Sequence, residues 1–425
     1  MLDIRLLRDD AEAVKQRLLA RGADYPAIVD QVLACDTEWR RLETERQQLQ
    51  QERNAISKEI GKLRKAGEDS SEIEAKVRGI GETIKELDEK VAASEEQQGG
   101  LLLSIPNMAH EACPVGEDET ANPEIRVWGE KPGKDFELKD HVALGEALGL
   151  FDFEAGAKIS GSGYVVFKGK GARLERALIQ FLLDLHTEQH GYEEVNPPFV
   201  VRRDCMFGTG QLPKFEDDMY GLEDGAFFLA PTAEVPVTNL MREQILAESK
   251  LPVKMTAYTP CFRREAGSAG RESRGMIRMH QFDKIELVQA VHPDKSMQIL
   301  EELTGHAEKV LQLLGLHYRV IELCTGDLGF SSSKTYDLEV WAPGHGGYLE
   351  VSSCSNFMDY QARRMQLRFK DAETKKNRFC HTLNGSGTAL PRLYVALIET
   401  YQQPDGSIQI PEALQPYMSG ATEIR

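Results

Sequence analysis

The most regular feature of the sequence is a pair of heptad series between residues 28 and 98. Apolar residues and two arginines recur at alternating spacings of three and four, and a second series follows a polar break at residues 67–71. This spacing is typical of a coiled-coil seam. Because the break is too short to join parallel helices, it predicts an antiparallel helical hairpin. The first seam contains Val32, Cys35, Trp39, Leu42, Arg46, Leu49, Arg53, Ile56, Ile60 and Leu63, and the second contains Ile73, Val77, Ile80, Ile84, Leu87, Val91 and Ser94.

The two seams agree on a single register. Folding the chain at residue 68 places Leu63 opposite Ile73 and Arg46 opposite Val91, with the positions between them also matched. About 35 residues of helix extend roughly 50 Å, which predicts an arm that projects from the rest of the protein. We expect the seam arginines, Arg46 and Arg53, to fix the register while their charged ends reach solvent.

The rest of the chain predicts a second domain. Residues 104–135 are rich in proline and glycine, as in a linker. Beyond them, helical stretches at 171–190, 233–248 and 294–315 are mixed with strand-like stretches, and those between 318 and 352 follow one another without helices. This order favours an antiparallel sheet with packed helices over a doubly wound parallel sheet. We therefore predict an α+β protein with an N-terminal domain at 1–103, a linker and the start of the second domain at 104–135, and the rest of the second domain at 136–425.

Composition excludes several classes of function. The chain of 425 residues has a formal net charge of −17, which argues against a protein that coats nucleic acid without specificity. No apolar run approaches the ~18 residues of a membrane span, and we see no secretory signal. The seven cysteines form no CxxC pair, so we expect reduced thiols in a cytoplasmic protein and no zinc. A nucleotide enzyme would need an unusual phosphate site, because the common glycine-rich phosphate loops are absent.

One segment with possible chemistry contains Arg263 and Glu265. They lie two residues apart in a strand-like run, so they are expected to share one face of the strand. An arginine beside an acceptor suits a site that binds a phosphate and a neutral amino group. A salt pair on an edge strand explains the same spacing.

Two further segments contain charged and hydroxyl side chains near glycines. In residues 350–353, strand alternation places Glu350 and Ser352 on one face and the two residues Val351 and Ser353 on the other. A carboxylate near a hydroxyl can hold Mg²⁺, and a polar strand edge is the alternative.

Near residue 391, a proline suits the first turn of a helix, which would put Arg392 at a helix N-terminus that favours anions. A surface arginine after a glycine-rich connection is the alternative there.

Together and in this order, these segments resemble the class II aminoacyl-tRNA synthetases. Residues 262–265 (FRRE) resemble motif 2, residues 385–392 (GSGTALPR) resemble motif 3, and residues 191–198 (GYEEVNPP) resemble the dimer-forming motif 1. The hairpin has the form of the tRNA-binding arm of seryl-tRNA synthetases, and the resemblance to that family spans almost the whole chain. The strings that carry it are TGQLPKF (209–215), PTAEVP (231–236), RMHQFDKIE (278–286), KTYDLEVW (334–341), EVSSCSN (350–356), QARRM (361–365) and HTLNGSG (381–387).

The resemblance implies an enzyme that joins L-serine to tRNA(Ser), with tRNA(Sec) as a further acceptor, using ATP and Mg²⁺ and passing through seryl-adenylate. It implies a cytoplasmic homodimer. Arg263 and Arg392 would be the catalytic arginines, on the α-phosphate and the γ-phosphate, and the pair Glu350 and Ser353 would bind Mg²⁺. Glycine often precedes the motif 3 arginine in this family, whereas this chain has Pro391. The implied serine site contains Thr232, Glu234, Glu286 and Ser386, and the implied ATP site contains Arg263, Glu265, Met279, Phe282, Glu350, Val351, Ser352, Ser353 and Arg392.

Contacts with tRNA are expected from the arm and from the loop after motif 2. Residues 53–65 contain five basic side chains and one acidic one, a local charge of +4. Such a patch suits tRNA phosphates, although solvated flanks of a coiled coil have the same composition. In the loop, Arg271 and Arg274 would reach the acceptor end. The basic residues of the arm are Arg53, Lys58, Lys62, Arg64 and Lys65.

Two other functions remain open. A related ligase that loads an amino acid onto a carrier protein would not need the arm. A catalytically silent relative that acts as a coiled-coil interaction module should have lost Arg263, Glu265, Glu350 or Arg392, and all four are present.

Overall fold

The computed structural model describes residues 1–266 and 274–425. They form two compact units, Met1–Pro106 and Asn107–Arg425. Within the described residues, no helix is both long and apolar enough to cross a membrane. The first unit contains four helices, α1 (Ile4–Asp9), α2 (Ala11–Leu19), α3 (Tyr25–Ala66) and α4 (Ser71–Ser104).

Helices α3 and α4 form the predicted antiparallel hairpin. The turn begins at Gly67, whose φ of 77° is left-handed and favours glycine. The seam is confirmed in α4, where its residues from Ile80 to Ser94 are buried. Near the tip, the first-seam residues from Arg53 to Leu63 are half-buried while most of their neighbours are exposed. The 42 residues of α3 extend about 60 Å at the helical rise per residue.

Arg46 occupies its seam position as expected. One guanidinium nitrogen lies 3.1 Å from the Asp88 carboxylate of α4, and another lies 2.7 Å from Glu43 on its own helix. Because Asp88 belongs to the opposite helix, this ion pair ties the two seams to one register.

Among its described residues, the second unit contains eight further helices around strands of very different lengths. The helices are α5 (His141–Leu148), α6 (Phe153–Ser160), α7 (Gly169–Asp184), α8 (Arg203–Thr209), α9 (Glu234–Asn239), α10 (Ser296–Leu313), α11 (Tyr360–Met365) and α12 (Leu390–Tyr401). The first nine strands are β1 (Glu124–Trp128), β2 (Phe151–Asp152), β3 (Val166–Phe167), β4 (Glu193–Glu194), β5 (Val200–Arg202), β6 (Gly221–Leu222), β7 (Phe227–Leu229), β8 (Ile245–Ala247) and β9 (Val253–Phe262). The others are β10 (Gln281–Val291), β11 (Tyr318–Glu322), β12 (Lys334–Ala342), β13 (Gly347–Asn356), β14 (Arg368–Lys370), β15 (Asn377–Phe379), β16 (His381–Ala389), β17 (Ile408–Gln409) and β18 (Glu423–Ile424).

An eight-stranded sheet forms the centre of this unit, in the order β1-β11-β12-β13-β16-β10-β9-β4. Neighbouring strands are antiparallel except β4 and β9, which are parallel. Fully buried side chains of α10 and α12, such as Leu303 and Leu397, pack in the same core as Leu338 and Val340 of β12. The predicted antiparallel sheet with packed helices is therefore confirmed.

The helix expected at residues 233–248 is shorter than predicted. Helix α9 covers Glu234–Asn239, and the chain then turns into β8. Glu243 in this turn has a φ of 60°, which a right-handed helix cannot contain. The apolar spacing alone could not reveal this change of direction.

Candidate active site

A cavity of about 470 Å³ in the second unit is lined by residues of β10, β13 and β16 and by the segment that follows β9. Its walls bring together all of the residues predicted for serine, ATP and Mg²⁺ except Ser352. The gathered residues are Thr232, Glu234, Arg263, Glu265, Met279, Phe282, Glu286, Glu350, Val351, Ser353, Ser386 and Arg392. They come from segments up to 160 positions apart in the sequence, so the fold assembles one site from the separate motifs.

One end of the cavity is a network of buried polar groups. The Thr232 hydroxyl donates to Glu286 Oε2 at 3.0 Å, and Lys284 Nζ donates to Thr232 Oγ1 at 2.7 Å. Lys284 also forms an ion pair with Glu286. Strand alternation explains this pairing, since residues 284 and 286 point to the same face of β10. Lys284 was not predicted, although its spacing from Glu286 on a strand was visible in the sequence.

Glu234 is the second buried carboxylate at this end. Gln361 Nε2 donates to its Oε1 at 2.6 Å, and the Asn384 side chain is also hydrogen-bonded to it. Burial and, after it, the nearby Glu286 raise the pKa of Glu234 to about 7. A carboxylate in such surroundings is stabilised in its charged form by a cation, which an α-ammonium group can provide. Gln361 and Asn384 lie in the QARRM and HTLNGSG strings but were not predicted as site residues.

The cavity also contains two arginines. The Arg263 guanidinium lies over the Phe282 ring at 5.2 Å from its centre, and its Nε donates to the Pro231 carbonyl at 3.3 Å. Arg392 lies in the first turn of α12, directly after Pro391, and its Nη1 is 3.6 Å from Glu350 Oε2. The proline therefore occupies the position that was expected at the start of a helix.

Glu265 reaches the cavity by a different route from the predicted one. Strand β9 ends at Phe262, so alternation along a strand does not set the direction of Arg263 and Glu265. Glu265 has a φ of 53° and forms an ion pair with Arg278, which also lines the cavity. Arg263 and Glu265 both line the cavity, as predicted, but the predicted reason, alternation along a strand, was wrong.

The faces predicted for residues 350–353 were also wrong. Leu338 of β12 pairs with Ser352 and Glu339 pairs with Glu350, so Val351 is an extra residue at a β-bulge. A bulge shifts the alternation by one position. Glu350 and Ser353 therefore both line the cavity, whereas Ser352 is buried and donates to the Ser386 carbonyl at 2.5 Å. The bulge makes it possible for the proposed pair of Mg²⁺ ligands to face one site.

Asp337 lies beneath this pair and was not predicted. It pairs with Ser353 across β12 and β13, and the two side chains are hydrogen-bonded. Its Oδ1 is buried without a hydrogen-bond partner in the described part of the chain. Burial and the Glu350 charge raise the pKa of Asp337 well above its usual range. Carboxylates and a hydroxyl are the hard oxygen donors that Mg²⁺ prefers, so the residues present fit this ion.

The arm residues predicted for tRNA contact lie on the last turns of α3. Lys58, Lys62 and Lys65 are exposed, and Arg53 is half-buried in the seam. Arg64 forms an ion pair of 2.8 Å with Glu74 of α4. In the loop after motif 2, Arg274 is paired with Asp140 at 2.9 Å, and Arg271 lies outside the described residues.

The second unit contains an antiparallel sheet with one arginine after β9 and another at the start of α12, both suited to bind phosphate. This combination defines the catalytic core of a class II aminoacyl-tRNA synthetase. Residues 215–401 match the family described as "tRNA synthetase class II core domain (G, H, P, S and T)", and residues 1–109 match "Seryl-tRNA synthetase N-terminal domain". The chain belongs to the seryl-tRNA synthetase family.

Individual relatives agree over the full length. The serine–tRNA ligase of Akkermansia muciniphila is 67% identical over 100% of this chain and 99% of its own, and that of Magnetococcus marinus is 51% identical over 99% of each. The crystal structure of seryl-tRNA synthetase from Pyrococcus horikoshii, complexed with ATP, has a TM-score of 0.93 and 40% identity, covering 100% of this chain and 99% of that one. The carrier-protein ligase and the silent relative are therefore set aside.

Proposed function

We propose that this protein activates L-serine with ATP to form seryl-adenylate and then transfers the seryl group to tRNA(Ser). One observation carries the proposal: a single cavity is lined by two buried carboxylates and by two arginines. The carboxylates suit an amino acid with an ammonium and a hydroxyl group, and the arginines suit a triphosphate.

Serine recognition is assigned to the carboxylate end. Glu234 binds the α-ammonium group together with Thr232, and Glu286 accepts a hydrogen bond from the substrate hydroxyl. Ser386, which lies opposite Glu286 in the pairing of β10 with β16, closes the pocket. A buried acceptor at Glu286 rejects alanine, because this acceptor would be left unpaired.

The first chemical step needs alignment more than acid–base catalysis. The serine carboxylate is ionised at pH 7, so it attacks the α-phosphorus directly, and the bond to the pyrophosphate oxygen breaks with its electron pair leaving on pyrophosphate. Arg263 neutralises charge between the serine carboxylate and the α-phosphate, and Arg392 holds the γ-phosphate. Phe282 stacks on adenine, while Met279, Glu265, Val351 and Ser352 complete the nucleotide site, Ser352 from behind through its bond to the Ser386 carbonyl.

Mg²⁺ would be held by Glu350 and Ser353, with Asp337 orienting the Ser353 hydroxyl. When bound, this ion neutralises phosphate charge. In the second step, the terminal adenosine hydroxyl of tRNA attacks the seryl carbonyl and gives its proton to a phosphate oxygen of the adenylate, and AMP leaves with the electron pair of the broken bond.

The two units support a division of labour along the chain. We assign tRNA recognition to residues 1–103 with the hairpin at 28–98, a linking role and the start of the catalytic domain to 104–135, and catalysis to 136–425. Lys58, Lys62 and Lys65 are the exposed cations of the arm that suit tRNA phosphates, and Arg271 and Arg274 are assigned to the acceptor end. Residues 191–198 support a homodimer, and we place the enzyme in the cytoplasm.

Charging of purified tRNA(Ser) and tRNA(Sec) with labelled serine tests this proposal. We expect seryl-tRNA(Ser) and a strong loss of charging when Lys58, Lys62 and Lys65 are changed to alanine. The control variant changes Lys85 and Lys90, which are exposed on α4 farther from the turn of the hairpin. This variant should retain more affinity for tRNA(Ser) than the variant of the three lysines on α3. Each lost phosphate contact should lower the salt dependence of tRNA binding by about one unit of slope. Failure of the wild-type protein to charge tRNA(Ser) would refute the proposal.

A further inference from the structure

Lys284 is a buried lysine within the polar end of the cavity. Its side chain is 8% exposed and that of its partner Glu286 is 3% exposed. Lysine is rarely buried unless it is paired, so the site retains this cation for the contacts that it makes. Those contacts are with Thr232 Oγ1, at 2.7 Å, and with the Glu286 carboxylate.

The hydrogen bonds at this end show which atoms remain for a substrate. The single proton of the Thr232 hydroxyl goes to Glu286 Oε2, and the hydroxyl oxygen accepts from Lys284 Nζ and from the Glu234 backbone N–H at 3.2 Å. Lys284 and Thr232 both contact Oε2 of Glu286, so Oε1 takes part in neither contact.

We propose that Lys284 is a positioning residue that determines specificity, because it holds Glu286 by Oε2 and leaves Oε1 to accept the hydrogen bond of the substrate hydroxyl. This inference rests on the proposed activation of serine. Lys284 also neutralises the charge of the buried Glu286 carboxylate. The charge of the second buried carboxylate, Glu234, is then neutralised by the substrate ammonium group. Without Lys284, the Glu286 carboxylate loses its counter-charge and one of its two contacts at Oε2.

The expected consequence is a change in substrate choice. A well-placed buried acceptor rejects a substrate that lacks the hydroxyl by a factor of about 10⁴. Moving Oε1 removes this advantage for serine while alanine, which never makes the bond, loses less. A purely structural role for Lys284 would lower activation of both amino acids by the same factor.

The test is ATP–pyrophosphate exchange with serine and with alanine for the wild-type protein and for Lys284→Met. We expect the ratio of kcat/KM for serine over alanine to fall about 10- to 100-fold in the variant. The matched control is Lys334→Met, which breaks the buried pair of Lys334 with Glu322 in the same sheet, whose side chains are 7% and 13% exposed. That variant should leave the ratio unchanged, whatever its stability.

A second comparison covers the case in which Lys284→Met does not fold. Glu286→Gln and the double variant Glu286→Gln/Lys284→Met should have the same serine-to-alanine ratio within about threefold, because Lys284 acts through Glu286. A further tenfold change in the double variant, or an unchanged ratio in a folded Lys284→Met, would overturn the inference. Absence of serine-dependent exchange in the wild-type protein would instead refute the proposed function, and the inference with it.

Discussion

The ionisation of Glu234 makes serine binding depend on pH. Four groups face this carboxylate: Glu286 and Lys284 on β10, Asn384 on β16 and Gln361 on α11. Burial and Glu286 raise its pKa to about 7. The ionised carboxylate binds the substrate ammonium, so binding is strongest above this pKa and weakens as the pH falls through it.

The size of the pH effect on the KM for serine follows from the titration of one carboxyl group, that of Glu234. With a pKa of about 7, roughly nine-tenths of Glu234 is ionised at pH 8 and about one-tenth at pH 6. If only the ionised form binds serine, the KM for serine should rise about tenfold between pH 8 and pH 6. The KM for ATP serves as an internal control, because the nucleotide does not contact Glu234 in our assignment.

Pyrophosphate exchange measured between pH 5.5 and pH 8.5 provides the assay. The buried histidines His186 and His381 and the half-buried His190 should not interfere, since burial lowers their pKa values to about 3 or 4. Glu234→Gln should have a higher KM for serine at every pH and lose the dependence. A tenfold rise that persists in Glu234→Gln, or a KM for serine that stays flat in the wild-type protein, would refute this reasoning.

Three other predictions concern the arginine, the metal and the arm. Arg263→Ala should reduce adenylate formation at least ~10²-fold without unfolding the protein, as measured by pyrophosphate exchange and circular dichroism; near-normal exchange would remove Arg263 from the site. Asp337→Asn should raise the Mg²⁺ concentration required for ATP binding, measured by calorimetry, because the Ser353 hydroxyl would lose the carboxyl group to which it is hydrogen-bonded. Shortening the hairpin by replacing residues 47–87 with a tight turn should spare serine activation and reduce tRNA charging, whereas equal loss of both would argue against a separable arm.

The hairpin could be predicted because its packing depends on residues that are close to one another in the sequence. A seam repeats along one helix, and Leu63 and Ile73 lie on either side of a short polar break, so the sequence contains both the pattern and its register. For the sheet, the sequence predicted that the strands are antiparallel but not the order in which they pair. Its strands from 318 to 352 are successive, but their neighbours β16 and β10 are distant in the chain.

The site residues were found through family resemblance, and their directions were harder to predict. The faces of Glu350 and Ser353 depend on a bulge that exists only in the pairing of β13 with β12. The direction of Glu265 depends on a positive φ after the end of β9. Neither feature follows from the period of one strand. By contrast, Lys284 could have been found, because residues two apart on a strand share a face.

The central assignment can be tested by ATP–pyrophosphate exchange of the purified protein with each of the twenty amino acids, without tRNA. We expect exchange that depends on serine, with alanine lower by a factor of about 10⁴. Preference for another amino acid, or no exchange with any of them, would contradict the assignment of Glu234, Glu286 and Arg263 to one serine-activating site.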